Sequence, residues 1–256
     1  MPTRSPDPTR RFSDRVENYV RYRPRYPAGV LPFLCQTLGL TPRWTVADLG
    51  SGTGISCEPF LKNGNVVFGV EPNRDMREAA ERLLHSHPNF RSIDGTAEGT
   101  GLPDHSIDLA TAMQAFHWFD AAATSRELGR ILKPAGWVVL VWNDRKFDSP
   151  FLADYEALLN EFGTDYGQVR HDNVTEDRLR SFFGPAGYEK HVLPNEQRFD
   201  YAGLEGRLLS SSYVPAPDEP RHAGMIAALR RLFDRHQREG EVRIDYDTRI
   251  YYGRVG

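Results

Sequence analysis

Asp48, Gly50, Gly52 and Gly54 stand together in Val46-Ala47-Asp48-Leu49-Gly50-Ser51-Gly52-Thr53-Gly54, an apolar run that ends in an acid and then in alternating glycines. Glycine lets a backbone turn sharply and approach a ligand with no Cβ in the way. Glu71 follows at the end of a second apolar run, Val66 to Val70. An acid there, about 20 residues past the first glycine, is where doubly wound folds hold ribose hydroxyls, and one carboxylate can accept from both. The spacing is Gly-x-Gly-x-Gly, with Ile55 where a strict dinucleotide fingerprint has its third glycine. Asp48 would repel a pyrophosphate and attract an ammonium group. The ligand these residues predict carries a cationic amine in preference to a diphosphate.

A second chemical zone is Met113-Gln114-Ala115-Phe116-His117-Trp118-Phe119-Asp120, which directly follows a predicted strand. His117 is a candidate general base, neutral near physiological pH; the competing role is to hydrogen-bond backbone and seat the loop. Phe116, Trp118 and Phe119 are pocket wall or plain core, and Trp118 is the best placed to attract a cation through its ring face. Trp142, Asn143 and Arg145 end the next strand. Arg145 either fixes an acidic substrate or pairs with Asp144 or Asp148 on the surface, the commoner fate of a lone arginine. Ser211, Ser212 and Tyr213 are candidate donors to a substrate. The other histidines are scattered without metal-ligand spacing, so no metal is expected.

These groups need a scaffold, and the pattern of the chain supplies one. Trp44 to Leu49 and Val66 to Val70 read as buried strands, Ile55 to Lys62 and Arg74 to His85 as helices, Arg91 to Asp94 and Ile107 to Met113 as the third and fourth strands. Ala121 to Leu132 reads as a helix that stops before Pro134 and Gly136. Helices are expected over Phe151 to Phe162 and from Thr175 to Gly184-Pro185. Tyr188 to Phe199 and Glu241 to Tyr252 read as an antiparallel pair. The alternation predicts an α/β, Rossmann-like, doubly wound sheet of seven strands, mostly parallel with an antiparallel C-terminal strand, plus helical lid elements. The expected organisation is a single domain over 1–256, with an N-terminal arm and helix (1–43), a ligand-binding core (44–142) and a helical lid insertion (200–240).

The arm itself holds Tyr19, Tyr22, Arg23, Pro24, Arg25, Tyr26 and Pro27. A solvated leader would gain nothing from that aromatic area, so an ordered flap is the sharper reading. Composition is permissive: 256 residues, 39% hydrophobic, net charge -3, with Cys35 and Cys57 the only cysteines. The charge disfavours a polyanionic partner, and the cysteines imply no disulfide framework. No apolar run nears the ~18 residues that span a bilayer, and Met-Pro-Thr-Arg-Ser-Pro does not begin a signal peptide. The expectation is a cytoplasmic protein, monomer or homodimer, with no nucleic-acid or membrane partner.

The chain resembles the class I S-adenosylmethionine-dependent methyltransferases, in the small-molecule branch similar to the trans-aconitate and ubiquinone-pathway enzymes. The residues that carry the likeness are VADLGSGTG (46–54), GVEPN (69–73), DGTAEGTGLPDHSIDLA (94–110) and ILKPAGWVVLVW (131–142), with YVRYRPRYP (19–27) and the C-terminal VRIDYDTRIYYGRV beyond them. The resemblance implies S-adenosylmethionine as cofactor, held by Asp48, Gly50, Ser51, Gly52, Thr53, Gly54, Glu71, Pro72, Asn73, Met76, Thr96, Ala97, Glu98, Gln114 and Ala115. It also implies that the arm closes over the cofactor, with Arg23 toward its methionine carboxylate. Tyr19, Tyr22, His117, Trp118, Trp142, Arg145 and Tyr213 are then the substrate-side candidates. Many members of the resembled family have an acid where this chain has Thr96. Gln114-Ala115-Phe116-His117 lacks the proline-containing motif of many nucleic-acid base methylases, which favours a small organic acceptor with an oxygen nucleophile, carboxylate or hydroxyl. The rivals are a non-catalytic binding module for the same cofactor and a nicotinamide-dependent oxidoreductase.

Overall fold

The computed structural model describes residues 20–164, 166, 175–211 and 213–255. Its elements are α1 (Val30–Leu38), β1 (Thr45–Leu49), α2 (Glu58–Lys62), β2 (Val66–Val70), α3 (Arg74–Leu83), β3 (Phe90–Ile93), β4 (Ile107–Met113), α4 (Ala121–Ile131), β5 (Leu132–Arg145), α5 (Pro150–Phe162), α6 (Glu176–Phe183), β6 (Tyr188–Phe199), α7 (Tyr201–Leu209), α8 (His222–His236) and β7 (Val242–Gly253). The strands form one seven-stranded sheet in the order β3-β2-β1-β4-β5-β7-β6. β1 to β5 run parallel, and β7 lies antiparallel to both β5 and β6. This is the expected architecture, including a single reversed strand at the C-terminus.

Side-chain alternation sorts the two faces of the sheet, because successive strand residues point to opposite sides. Ala47, Leu49, Ala110, Ala112, Val138, Leu140 and Trp142 pack with Leu128 and Ile131 of α4 and with Leu179, Phe182 and Phe183 of α6. Val46, Leu109, Met113, Val139 and Val141 pack with Val30, Leu34 and Leu38 of α1 and with Phe60 and Leu61 of α2. The sheet is thus covered on both faces, as parallel strands require. A third core joins α5, α7 and α8 to the outer parts of β6 and β7 through Leu152, Leu159, Leu204, Leu208, Met225, Leu229, Phe199 and Ile244.

Two boundaries differ from the sequence pattern. The helix after the glycine loop starts at Glu58, not at Ile55: residues 55–57 are a turn in which Gly54 O accepts from Cys57 N (3.1 Å) and Glu58 N (3.3 Å). β5 starts at Leu132, which pairs with Ile107, and pairing resumes at Trp137 with Leu109. Pro134 to Gly136 are therefore an irregularity inside the strand, with Ala135 in the left-handed region at φ 68°, and not a turn before it. Proline lacks a ladder donor and is tolerated at such a bulge.

Candidate active site

Strands β1 and β4 are neighbours whose following chains leave toward opposite faces, and ligands in open α/β sheets bind beyond the carboxyl ends at this switch point. Two backbone devices shape it. Gly50, Gly52 and Gly54 all have positive φ (66°, 55° and 81°), which side chains other than glycine rarely adopt. A Cβ on Gly50 would lie 2.7 Å from the Ala115 Cβ, so the loop after β1 presses directly on the one after β4. Gln114 is also left-handed (φ 59°), and its Oε1 accepts from Asn143 N at 2.6 Å, tying the end of β4 to β5.

Glu71 stands at the end of β2 with 9% of its surface exposed. Its Oε2 accepts from Gly52 N at 2.9 Å and its Oε1 from Asn73 N at 2.8 Å. Each oxygen keeps a second lone pair for a ligand hydroxyl. Burial pushes its carboxyl above the ordinary value, opposed by those two backbone donors and by Arg77. Asn73 caps α3, its Oδ1 accepting from Met76 N at 3.0 Å, and Arg77 Nη1 donates to the Pro72 carbonyl. Met76 is buried beside Gly52, 3.6 Å from where a Cβ would stand.

Asp48 is placed differently from its expected role. It is fully buried beneath the loop, accepting from Ser56 Oγ (2.5 Å), Thr111 Oγ1 (2.8 Å) and Cys57 Sγ (3.3 Å). It holds the loop's shape from below and does not line the cavity beyond the strand ends. Burial pushes its carboxyl up against the three hydrogen bonds, and burial together with Asp48 pushes the Cys57 thiol well up. The adenine-side loop is a small hairpin: Thr96 bridges Gly99, Ala97 is buried, and Glu98 Oε1 accepts from Asp120 N at 2.9 Å.

A cavity of about 410 Å³ opens beyond these strand ends. Gly50, Ser51 and Thr53 form its loop wall, and Gln114, His117 and Trp118 its β4 wall. The His117 and Trp118 rings are 4.8 Å apart. Phe116, by contrast, is core, carrying the Arg178 guanidinium 4.9 Å above its ring, so Trp118 is the aromatic of this turn that reaches the cavity. Trp142 also lines it but is 2% exposed.

The arm crosses the mouth. Arg23, Pro24 and Tyr26 line the cavity, and Arg23 Nη2 donates to the Ser210 carbonyl at 3.2 Å. The Arg25 carbonyl accepts from Asn195 Nδ2 at 2.8 Å, and Asn195 in turn donates to Asn143 Oδ1 at 3.1 Å. Tyr22 is not a cavity residue: its ring packs against Gly206 of α7, in the space a Cβ there would need. Tyr19 and Ser212 lie outside the described residues.

Arg145 lines the cavity and does not take the surface alternative foreseen for it. It is largely enclosed, ion-paired with Glu156 of α5, donates to Tyr166 Oη at 2.8 Å and lies 5.1 Å over the Tyr155 ring. The surface partners foreseen for it are taken by others, Asp144 by Arg249 (3.0 Å) and Asp148 by Lys146 (3.8 Å). Arg207, Tyr166 and Tyr246 complete the wall and were not singled out by the sequence. Arg207 sits in an ordinary helical pattern, and only the folding of α7 onto β7 and α5 turns it inward. Burial would push the Tyr213 phenol up, yet Arg145, Arg207 and Arg23 together bring it below its ordinary value.

Comparison with known proteins decides between the nucleotide-binding families that share such a crevice. Residues 47–140 match the family model described as a methyltransferase domain. Over that stretch the chain is similar to methyltransferases. An uncharacterized methyltransferase of Mycobacterium tuberculosis is 34% identical over 164 residues, 64% of this chain and 63% of that one. The chain thus spans just under two thirds of the length of that relative. A ubiquinone biosynthesis O-methyltransferase of Bradyrhizobium is 34% identical over 110 residues, 41% of this chain and 42% of its own. A solved structure from Anaeromyxobacter dehalogenans, provisionally assigned as a type II methyltransferase, superposes with a TM-score of 0.68 at 26% identity, covering 91% of this chain and 98% of that one. In this chain the fit to a nucleoside sulfonium rests on Glu71, on the left-handed glycines, and on Thr53, whose buried Oγ1 has no hydrogen-bond partner among the described residues.

Proposed function

We propose that this protein is an S-adenosylmethionine-dependent methyltransferase acting on a small organic acceptor through an oxygen nucleophile, carboxylate or hydroxyl. The observation that carries the reading is the placement of Glu71 against a glycine loop that presents no helix N-terminus. A dinucleotide site sets its pyrophosphate on the first turn of the following helix. Here that helix begins only at Glu58, has five residues, and carries an acid in its first turn. What the loop does offer is bare backbone beside a ribose-type carboxylate, which suits a nucleoside without a diphosphate.

Glu71 would hold the ribose hydroxyls, the Gly50 to Thr53 backbone and the Thr53 hydroxyl the amino-acid part, and Thr96, Ala97 and Glu98 the adenine side. When bound, S-adenosylmethionine supplies an electrophilic methyl group on sulfonium. The chain's own contribution is alignment, which can lower such a barrier by several kcal/mol. The Trp118 ring faces the cavity, where an aromatic face attracts a sulfonium. His117 at the same wall accepts the proton of a hydroxyl acceptor, while a carboxylate needs no base. The arm and the helices α7 and α8 act as a lid that excludes water.

The similarity to an O-methyltransferase supports the oxygen acceptor. The test is S-adenosylhomocysteine release with a panel of acids, phenols, thiols and amines. Turnover with an acid or phenol supports the reading, and turnover confined to thiols or amines overturns the oxygen assignment. Cofactor binding with no turnover on any acceptor would make the chain a binding module.

A further inference from the structure

Arg207 is the residue that the mechanism above leaves without a task. It is 6% exposed, yet it lines the cavity. Among the described residues no carboxylate lies within ion-pair distance of it. Its partners are neutral hydroxyls: Nη1 reaches Ser210 Oγ (3.4 Å) and Ser211 Oγ (3.3 Å) at long range, the Tyr246 hydroxyl also accepts from the guanidinium, and its Nε has no hydrogen-bond partner among the described residues. Three other cations of this wall are matched by acids within the protein: Arg145 by Glu156, Arg249 by Asp144, Lys146 by Asp247. A buried guanidinium without an acid is costly, because it gives up hydration and gets no charge in return.

The surroundings have the chemistry of an oxyanion pocket. Tyr213 lines the same wall as Arg207 and its hydroxyl is a donor, whereas the Tyr246 hydroxyl donates to Gln197 Oε1 at 2.8 Å and orients the guanidinium by accepting from it. Arg23 stands on the adjacent side, its guanidinium held at the Ser210 carbonyl. A planar fork of N–H groups flanked by a phenol donor matches a carboxylate in geometry and in charge.

We propose that Arg207, with Tyr213, is the anchor for a carboxylate of the methyl acceptor, so that the substrate is a small organic acid. A carboxylate forked onto a guanidinium has its lone pairs engaged and is a poor nucleophile. The methylated oxygen is therefore a second group of the same molecule, a hydroxyl or another carboxylate. This rests on the methyltransferase reading for the word acceptor, but the anion site itself does not.

The test separates the two. Binding of succinate and of 4-hydroxybenzoate is measured by ligand-observed NMR, with and without S-adenosylhomocysteine, against their uncharged amides and against inorganic phosphate. Wild-type protein is expected to bind at least one acid and to ignore its amide. Arg207→Met should weaken that acid about 10- to 100-fold, the range for losing a hydrogen-bonded charge, while S-adenosylhomocysteine binds as before. Arg207→Lys, which keeps the charge and loses the fork, should fall between. Equal binding of acid and amide by wild-type protein overturns the proposal and needs no variant to fold. So does Arg207→Met binding the acid normally, and a preference for phosphate would overturn the carboxylate. Loss of S-adenosylhomocysteine binding in wild-type protein would sink the methyltransferase reading and leave the acid-against-amide result standing on its own.

Discussion

Replacing Glu71 by glutamine changes one atom and should separate the ribose role from the structural one. The carboxylate accepts from Gly52 N (2.9 Å) through one oxygen and from Asn73 N (2.8 Å) through the other. A glutamine amide has a single acceptor oxygen, so its NH₂ must face one of those N–H groups. Leaving a buried donor unpaired costs about 1–3 kcal/mol. Relief of the buried charge, which pushes the Glu71 carboxyl up, offsets part of that. The net stability loss is about 1–2 kcal/mol, a drop of roughly 2–8 °C in melting temperature for a chain of this size. The loss in cofactor affinity should be larger. Two hydrogen bonds from ribose hydroxyls to a charged acceptor become neutral ones, at about 1–1.5 kcal/mol each, or roughly 30- to 150-fold in Kd. Calorimetry with S-adenosylhomocysteine reads the affinity, and thermal melting reads the fold. A Glu71→Gln protein that melts cooperatively and binds S-adenosylhomocysteine as tightly as wild type would refute the ribose assignment.

Gly206→Ala should undock the arm, because its Cβ would occupy the place of the Tyr22 ring; the helix itself gains propensity, so faster hydrogen exchange at residues 20–26 and several-fold weaker cofactor binding are expected, and unchanged affinity would break the link between arm and cofactor. Gly54→Ala combines φ 81° with a Cβ 2.5 Å from Leu84 Cδ1; strain and overpacking of about 2–4 kcal/mol should lower the melting temperature by roughly 5–15 °C, and a variant as stable as wild type would mean the loop tolerates a right-handed conformation there. Glu127, held at about 2 chiefly by Arg130, with Thr100 also donating, has a depressed folded pKa. Its stabilisation is therefore complete above its unfolded value and lost as pH falls from about 4.5 toward about 2. Glu127→Gln should cost about 1–2 kcal/mol in urea unfolding near pH 6 and almost nothing near pH 2, after a discount for the partly exposed Arg130; an equal cost at both would show that the ion pair is not responsible.

Sequence reading reached the parts of the site that are local in the chain. Gly50 to Gly54 and Glu71 are set by the ends of adjacent parallel strands, whose apolar runs and glycines are visible without tertiary information. The same holds for the helix starts at Asn73, Asp120, Ser149 and Thr175, where a short polar side chain accepts from the first turn. What stayed hidden depends on which side of a strand end a residue faces. Asp48 looked like a ligand because it precedes the loop, but strand alternation turns it inward onto Ser56 and Thr111. Arg145 looked like surface because acids flank it in sequence, whereas its partner Glu156 comes from α5. Tyr22 and Arg207 meet their surroundings only when α7 folds against the arm and β7, contacts that no periodicity encodes.

Isothermal titration of the wild-type protein with S-adenosylhomocysteine, with NADH as the comparison, tests the central claim most directly. A saturable enthalpy at one molecule per chain, absent with NADH and sharply reduced in Glu71→Gln, is the predicted result. No binding of S-adenosylhomocysteine by folded protein, or binding of NADH in its place, would contradict the account.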